Sequence, residues 1–207
     1  MTRACYQNMF YNCTSLTEAP ELPAALAEGC YWGMFANCTS LTTAPELSAT
    51  TLTPSCYYQM FSGCTSLTQA PALPATSMRN DCYSQMFNGC TSLTAAPSLN
   101  ATSLANNCYF GMFSGCTSLT TPPELPATTL SSQSYAYMFK GCTSLTTAPE
   151  LPATTLGSYC YHQMFYGCSS LNSIKIDYTG NFSGTGVPTD AFSEWVYGVS
   201  ASGTFYY

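Results

Sequence analysis

Leu156, Cys160, Met164 and Cys168 fall every fourth residue, with Tyr161 and Phe165 in the adjacent row. An apolar stripe at this spacing predicts an amphipathic helix of about three turns. Thr154 and Thr155 offer N-cap oxygens, and Gly167 offers a C-terminal stop. The same pattern recurs along the chain. Its closing cysteine stands at Cys13, Cys38, Cys64, Cys90, Cys116, Cys142 and Cys168, a spacing of 25 residues once and 26 five times. A fixed period of this size predicts a solenoid in which each coil completes the core of its neighbours.

A short strand is expected after each helix. The leucine of CTSLT recurs from Leu16 to Leu171, and a small residue such as Ala19 or Ala44 follows three positions later. Proline comes next, at Pro20, Pro45 and their equivalents, and has no N–H to give a ladder. The strand should therefore span three or four residues around Leu-Thr-x-Ala and pair in parallel with the next coil. The segment ELPATTL then crosses to the next helix.

Strand, turn and helix, with one Leu-x-x-apolar step per coil, is the plan of a leucine-rich repeat. The expected fold class is α/β: a right-handed leucine-rich-repeat solenoid of seven coils, each with a short parallel strand and a short helix. It should occupy residues 1–170 and be closed by a C-terminal cap over 171–207. The cap is read as a strand at 174–177, a Gly-rich turn at 179–187, a short helix at 190–197 and a strand near 203–207. Phe182, Phe192, Trp195 and Val196 would shield the last core face.

Composition narrows the function. Charged residues are 7% of the 207, with four Lys and Arg against ten Asp and Glu. That excludes an electrostatic footprint for nucleic acid and a basic patch for anionic lipid. No apolar run approaches the ~20 residues that span a bilayer, so no membrane insertion is expected. Hydrophobic residues reach 46%, enough for a continuous core under a neutral Ser, Thr, Asn, Gln and Tyr surface. Met1 opens straight into the first repeat without a signal peptide, and the chain reads as a fragment of a longer one.

Thirteen cysteines would ordinarily suggest a disulfide scaffold. Twelve of them close Cys-x7-Cys elements, whose ends in a helix lie about 12 Å apart. A bridge needs Cα atoms within about 7 Å, so the pair within a coil cannot join. Ser134 stands where the sixth coil should have its first cysteine. Two ladders of buried free thiols are expected, with bridges between adjacent coils as the alternative. One histidine and no CxxC give no zinc site, and no cofactor is expected.

Candidate binding residues lie in the variable columns. Trp32, Tyr58 and Phe110 share one outward helix position with His162, and Tyr11 and Tyr166 share another. Exposed aromatics of this kind serve protein and glycan interfaces, or else pack between neighbouring helices. Hydroxyl pairs such as Ser66/Thr68 and Ser92/Thr94 flank each inward leucine and would align at coil spacing, where they could meet a repetitive ligand or only bond the backbone. Glu21, Glu46, Glu124 and Glu150 form a row broken by Ala72 and Ser98, too sparse to read as a cation site. No catalytic set recurs, so an enzyme is not expected.

In the seventh copy, CSSLNSIKIDY holds Leu171, Ile174 and Ile176 at Leu-x-x-Ile-x-Ile spacing after MFYGC. This resembles the BspA-type leucine-rich repeat proteins of bacterial cell surfaces, over residues 1 to about 178. The unit here is longer, and Ala-Pro-Glu-Leu replaces the second isoleucine. The tail DAFSEWVYGVSASGTFYY is similar to the closing segment of such proteins from gut bacteria and their phages. The resemblance implies a non-enzymatic adhesion module for a host protein or glycan, extracellular, on a cell surface or on a virion. The alternative is a structural fibre or filament that self-associates end to end through the uncapped N-terminal coil.

Overall fold

The computed structural model describes residues 2–179, 188, 190–202 and 204–206. It is a solenoid, but its coils depart from the expected plan: no α-helix occurs among the described residues. Each Cys-x7-Cys element is a ribbon of consecutive turns. A residue with positive φ opens, centres and closes it. Ser55, Gln59 and Gly63 do so at φ 54°, 54° and 74°, and Asp81, Gln85 and Gly89 repeat them at 57°, 54° and 71°. The triplet occurs again at 4/8/12, 29/33/37, 107/111/115, 133/137/141, 159/163/167 and 190/194/198.

Backbone hydrogen bonding explains why this ribbon can replace a helix. Alternate N–H groups close turns within the coil: Tyr58 N donates to Ser55 O at 3.2 Å and Met60 N to Tyr57 O at 3.2 Å. The intervening ones donate to the next coil: Tyr57 N to Cys82 O at 3.0 Å, Gln59 N to Ser84 O at 2.9 Å and Phe61 N to Met86 O at 2.9 Å. Buried backbone polar groups must be paired, and this alternation pairs them while fastening the coils together. A helix would spend its bonds internally and leave stacking to side chains alone.

Two inward residues alternate with two outward ones. Cys56, Tyr57, Met60, Phe61 and Cys64 are buried, whereas Tyr58, Gln59, Ser62 and Gly63 are half-buried. The inward columns build ladders. Tyr31, Tyr57, Tyr83 and Tyr109 stack at 5.7–6.0 Å between ring centroids, and Phe35, Phe61, Phe87 and Phe113 at 5.7 Å. Such offset stacks add to the stabilisation from area burial alone. The second cysteine of each coil donates its S–H backwards: Cys90 Sγ lies 3.1 Å from Phe61 O and Cys116 Sγ 3.1 Å from Phe87 O.

The strand expected around Leu-Thr-x-Ala shrinks to one residue per coil. Parallel bridges link Glu18 to Thr43, Thr43 to Gln69, Gln69 to Ala95 and Ala95 to Thr121. Proline two residues on removes the donor that a longer ladder would need. A second column joins Thr51 to Ser77 and Ser103 to Thr129. The two strands proper are β1 (Ser173–Lys175) and β2 (Thr204–Tyr206), which pair in parallel with Ile174 opposite Phe205. The strand expected at 174–177 thus begins one residue earlier, and Ile176 bridges Leu151 instead.

The helix expected at 190–197 is another turn ribbon. Its carbonyls receive coil seven: Tyr161 N donates to Ala191 O at 2.9 Å and Phe165 N to Trp195 O at 2.8 Å. Phe192 stacks on Tyr161 at 5.5 Å, and Trp195 meets Phe165 at 6.4 Å, so the aromatic ladders run on into this segment. The expected turn at 179–187, apart from Thr179, and Phe182 with it lie outside the described residues.

Candidate binding surface

Because each ribbon turns residues outward in adjacent pairs, the column of Trp32, Tyr58 and Phe110 lies beside one holding Gln59, Gln85 and Tyr137, and the next pair brings the column of Tyr11, Lys140 and Tyr166. The Trp32 column is discontinuous. Its small members, Ser84 and Ala136, are 2% and 0% exposed beneath their neighbours. Trp32 and Tyr58 pair at 4.7 Å with a 53° tilt. Burial first, and the Asp81 charge second, raise the Tyr58 phenol above its ordinary value. Phe110 instead meets Tyr137 of the adjacent column at 5.0 Å. Trp32 and Tyr58 therefore form one patch, and Phe110 joins another.

The second patch is the larger. Tyr137 lies edge-on to His162 at 5.0 Å, and its hydroxyl is 2.9 Å from His162 Nε2. Lys140 Nζ sits over the Tyr137 ring at 5.1 Å and over the Tyr166 ring at 4.8 Å. Tyr166 stacks in turn on Tyr197 at 5.0 Å. Polar bonds lock the arrangement: Lys140 Nζ donates to Gln163 Oε1 at 2.8 Å, and Gln163 Nε2 donates to Glu194 Oε2 at 2.7 Å. Asp190, by a hydrogen bond first and its charge second, raises the Tyr159 phenol. The patch crosses coils five to seven and the ribbon at 190–198. Tyr197 is 64% exposed there.

Tyr137, Lys140 and Tyr197 escaped the sequence reading. The signal for Tyr137 was the column beside that of Trp32, in which it neighbours the small Ala136, whereas Lys140 stands in the column already marked by Tyr11 and Tyr166. Tyr11 is 53% exposed and apart from both patches; its hydroxyl accepts from Asn37 Nδ2 at 3.4 Å. His162 belongs to the aromatic network, and its Nδ1 is buried without a partner.

Ser66 and Ser92 are half-buried beside buried leucines, and Thr68 and Thr94 are exposed. Their equivalents are partly engaged with backbone: Thr42 Oγ1 donates to Thr17 O at 3.4 Å and Thr120 Oγ1 to Thr94 O at 3.3 Å.

A third kind of surface recurs where proline follows the bridge column. Shallow grooves open between coils one and two, three and four, and five and six, with volumes of about 350, 330 and 380 Å³. Glutamates edge the first and third, while Ala72 and Ser98 stand in the middle one.

All thirteen cysteines are free thiols, and eleven are buried. Burial pushes Cys56, Cys64 and Cys82 up to about 12, far from the range of a nucleophile. Among the described residues, no group of three or more His, Cys, Asp or Glu could hold a metal ion. No helix among them is long and apolar enough to cross a membrane.

Known families place this architecture. The model of the BspA type leucine rich repeat region matches residues 3–146 and 109–194 in six copies, so the chain belongs to that family. Repeats of this class are generally non-enzymatic protein-binding scaffolds and are typically surface-associated. No curated protein and no solved structure matches the chain.

Proposed function

We propose that this chain is a non-enzymatic adhesion module that recognises a host protein or glycan from a bacterial surface or a virion. The observation that carries the reading is the aromatic network around Lys140. Rigid, partly exposed tyrosines offer large contact area at low entropic cost, as binding hot spots do. Polar groups of Gln163, Glu194 and His162 edge the rings, which suits a sugar as well as a peptide. Residues 171–207 would close the array, with Phe192 and Trp195, each 8% exposed, as its last rungs.

The test compares the wild type with a Tyr137→Ala, Tyr166→Ala, Tyr197→Ala triple variant on arrays of glycans and host matrix proteins. Loss of a target by a still-folded variant supports the reading. Equal binding by both removes this patch, and a Trp32→Ala, Tyr58→Ala variant becomes the next comparison. Binding here should depend weakly on salt, because rings make up most of the patch and its two charged groups, Lys140 and Glu194, are both already held by Gln163. Absence of any target together with concentration-dependent rods in sedimentation would favour the filament reading.

A further inference from the structure

We propose that the proline–glutamate grooves are a second interaction surface, which takes cationic side chains from an extended segment of a partner protein. The groove between coils five and six is walled by Pro122, Pro123, Pro126, Pro149 and Pro152. Proline has no N–H, so these five positions offer no backbone donor. Glu124 and Glu150 add acceptor-only carboxylates at the rim. A donor-poor groove of stiff apolar rings with carboxylates on its rim is complementary to a donor-rich cation with an apolar stem, as in arginine or lysine.

The chain itself supplies a precedent. Lys175 Nζ lies 2.8 Å from Glu150 Oε1, so an ammonium is already seated on one rim carboxylate. Glu124 of the same groove, and Glu21 and Glu46 of the first, have no ion-pair partner among the described residues. The intervening groove carries Ala72 and Ser98 in their place and has no carboxylate.

This spacing sets the form of the partner. Four in-register bridge steps connect coil one to coil five, from Glu18 through Thr43, Gln69 and Ala95 to Thr121. At about 4.8 Å per step the acidic grooves lie roughly 19 Å apart. An extended chain rises about 3.3 Å per residue, so two cations about six residues apart reach both grooves. The segment would lie along the solenoid axis, with small neutral residues over the middle groove.

The experiment uses Gly/Ser peptides carrying two arginines three, six or nine residues apart, and a single-arginine control. Calorimetry at low and high salt reads their affinity for the full chain. The six-residue spacing should bind about a hundredfold tighter than the single arginine, the low end of what two linked anchors gain. High salt and a Glu21→Gln, Glu46→Gln, Glu124→Gln variant should each remove that advantage; these glutamates are exposed, so the variant should fold as the wild type does. Equal affinity across spacings, or indifference to salt or to the variant, overturns the proposal. The Tyr137/Tyr166/Tyr197 variant should keep peptide binding. If peptides fail while that variant still loses its own target, only the groove assignment falls.

Discussion

Alkali should unfold this protein steeply, and the cause lies in its core. Nine cysteines from Cys56 to Cys168 are 0% exposed. Desolvation holds each thiol above its ordinary value of 9.0, to about 12 at Cys56, Cys64, Cys82, Cys160 and Cys168 and well above it at the other four. Above pH 9 the unfolded chain therefore releases protons that the folded chain keeps. Stability is whole below pH 9 and is lost as pH rises from 9 toward 12. Each thiol costs about 1.4 kcal/mol per pH unit in that window, so nine cost about 12. By pH 10 the accumulated loss is roughly 13 kcal/mol, comparable with the whole stability of a typical domain. The buried tyrosines, also raised by desolvation, steepen the fall further.

The assay is denaturant unfolding followed by far-UV circular dichroism from pH 7 to 10.5, under a phosphine reductant. The midpoint should hold to about pH 8 and collapse between 9 and 10, and each Cys→Ala change at Cys90 or Cys116 should reduce the slope by about 1.4 kcal/mol per pH unit. A midpoint unchanged between pH 8 and 10 would refute the reasoning.

Three substitutions test other parts of the architecture. Ser134 is 0% exposed with its hydroxyl unpartnered, so Ser134→Cys should stabilise by about 1–3 kcal/mol in thermal or urea unfolding by removing an unsatisfied group from the cysteine column. Gln133 has φ 54°, so Gln133→Gly should raise the unfolding free energy in urea titration by up to about 1 kcal/mol, whereas the same change at the start of a helix interior would lower it. A Cβ on Gly157 would lie 2.4 Å from Ser131 C and 2.6 Å from Ser131 O, so Gly157→Ala should cost about 1–3 kcal/mol, read as a lower melting temperature.

Much of the core was legible because the period is long and regular. The inward leucines, the paired aromatic and sulfur columns and the free thiols follow from spacing and residue size, while the strand expected to span three or four residues is a single-residue bridge in each coil. The ribbon was misread as helix because periods of 4.0 and 3.6 residues differ little over nine residues. At 100° per residue, a helix drifts only about 40° between Cys56 and Met60 and about 80° by Cys64, within the width of an ordinary apolar stripe. Both templates therefore bury the same side chains. The signal that separates them was present in the outward residues. Gly29, Gly33 and Asn37, and Asn107, Gly111 and Gly115, place left-handed-tolerant residues at every fourth position, including mid-element sites where a helix would be weakened.

That distinction also determines where the aromatic patch lies. A helix would present one narrow outer ridge, and the column through Trp32, Tyr58 and Phe110 would be its crest. The ribbon presents outward residues in adjacent pairs, so a second column lies directly beside that one. A bulky residue in one can then stand over a small residue in the other, as Tyr137 does beside Ala136, 0% exposed. Contacts cross between columns and coils, so Lys140 of coil six reaches the rings of Tyr137 and Tyr166 in coils six and seven. The patch is a property of neighbouring coils in register and is absent from any single repeat. Because each ribbon bonds its backbone to the next, that register is held by the main chain. Outward side chains can vary from coil to coil without loosening it, and the separate patch at Trp32 and Tyr58 shows the same scaffold carrying a different surface two coils away from Phe110.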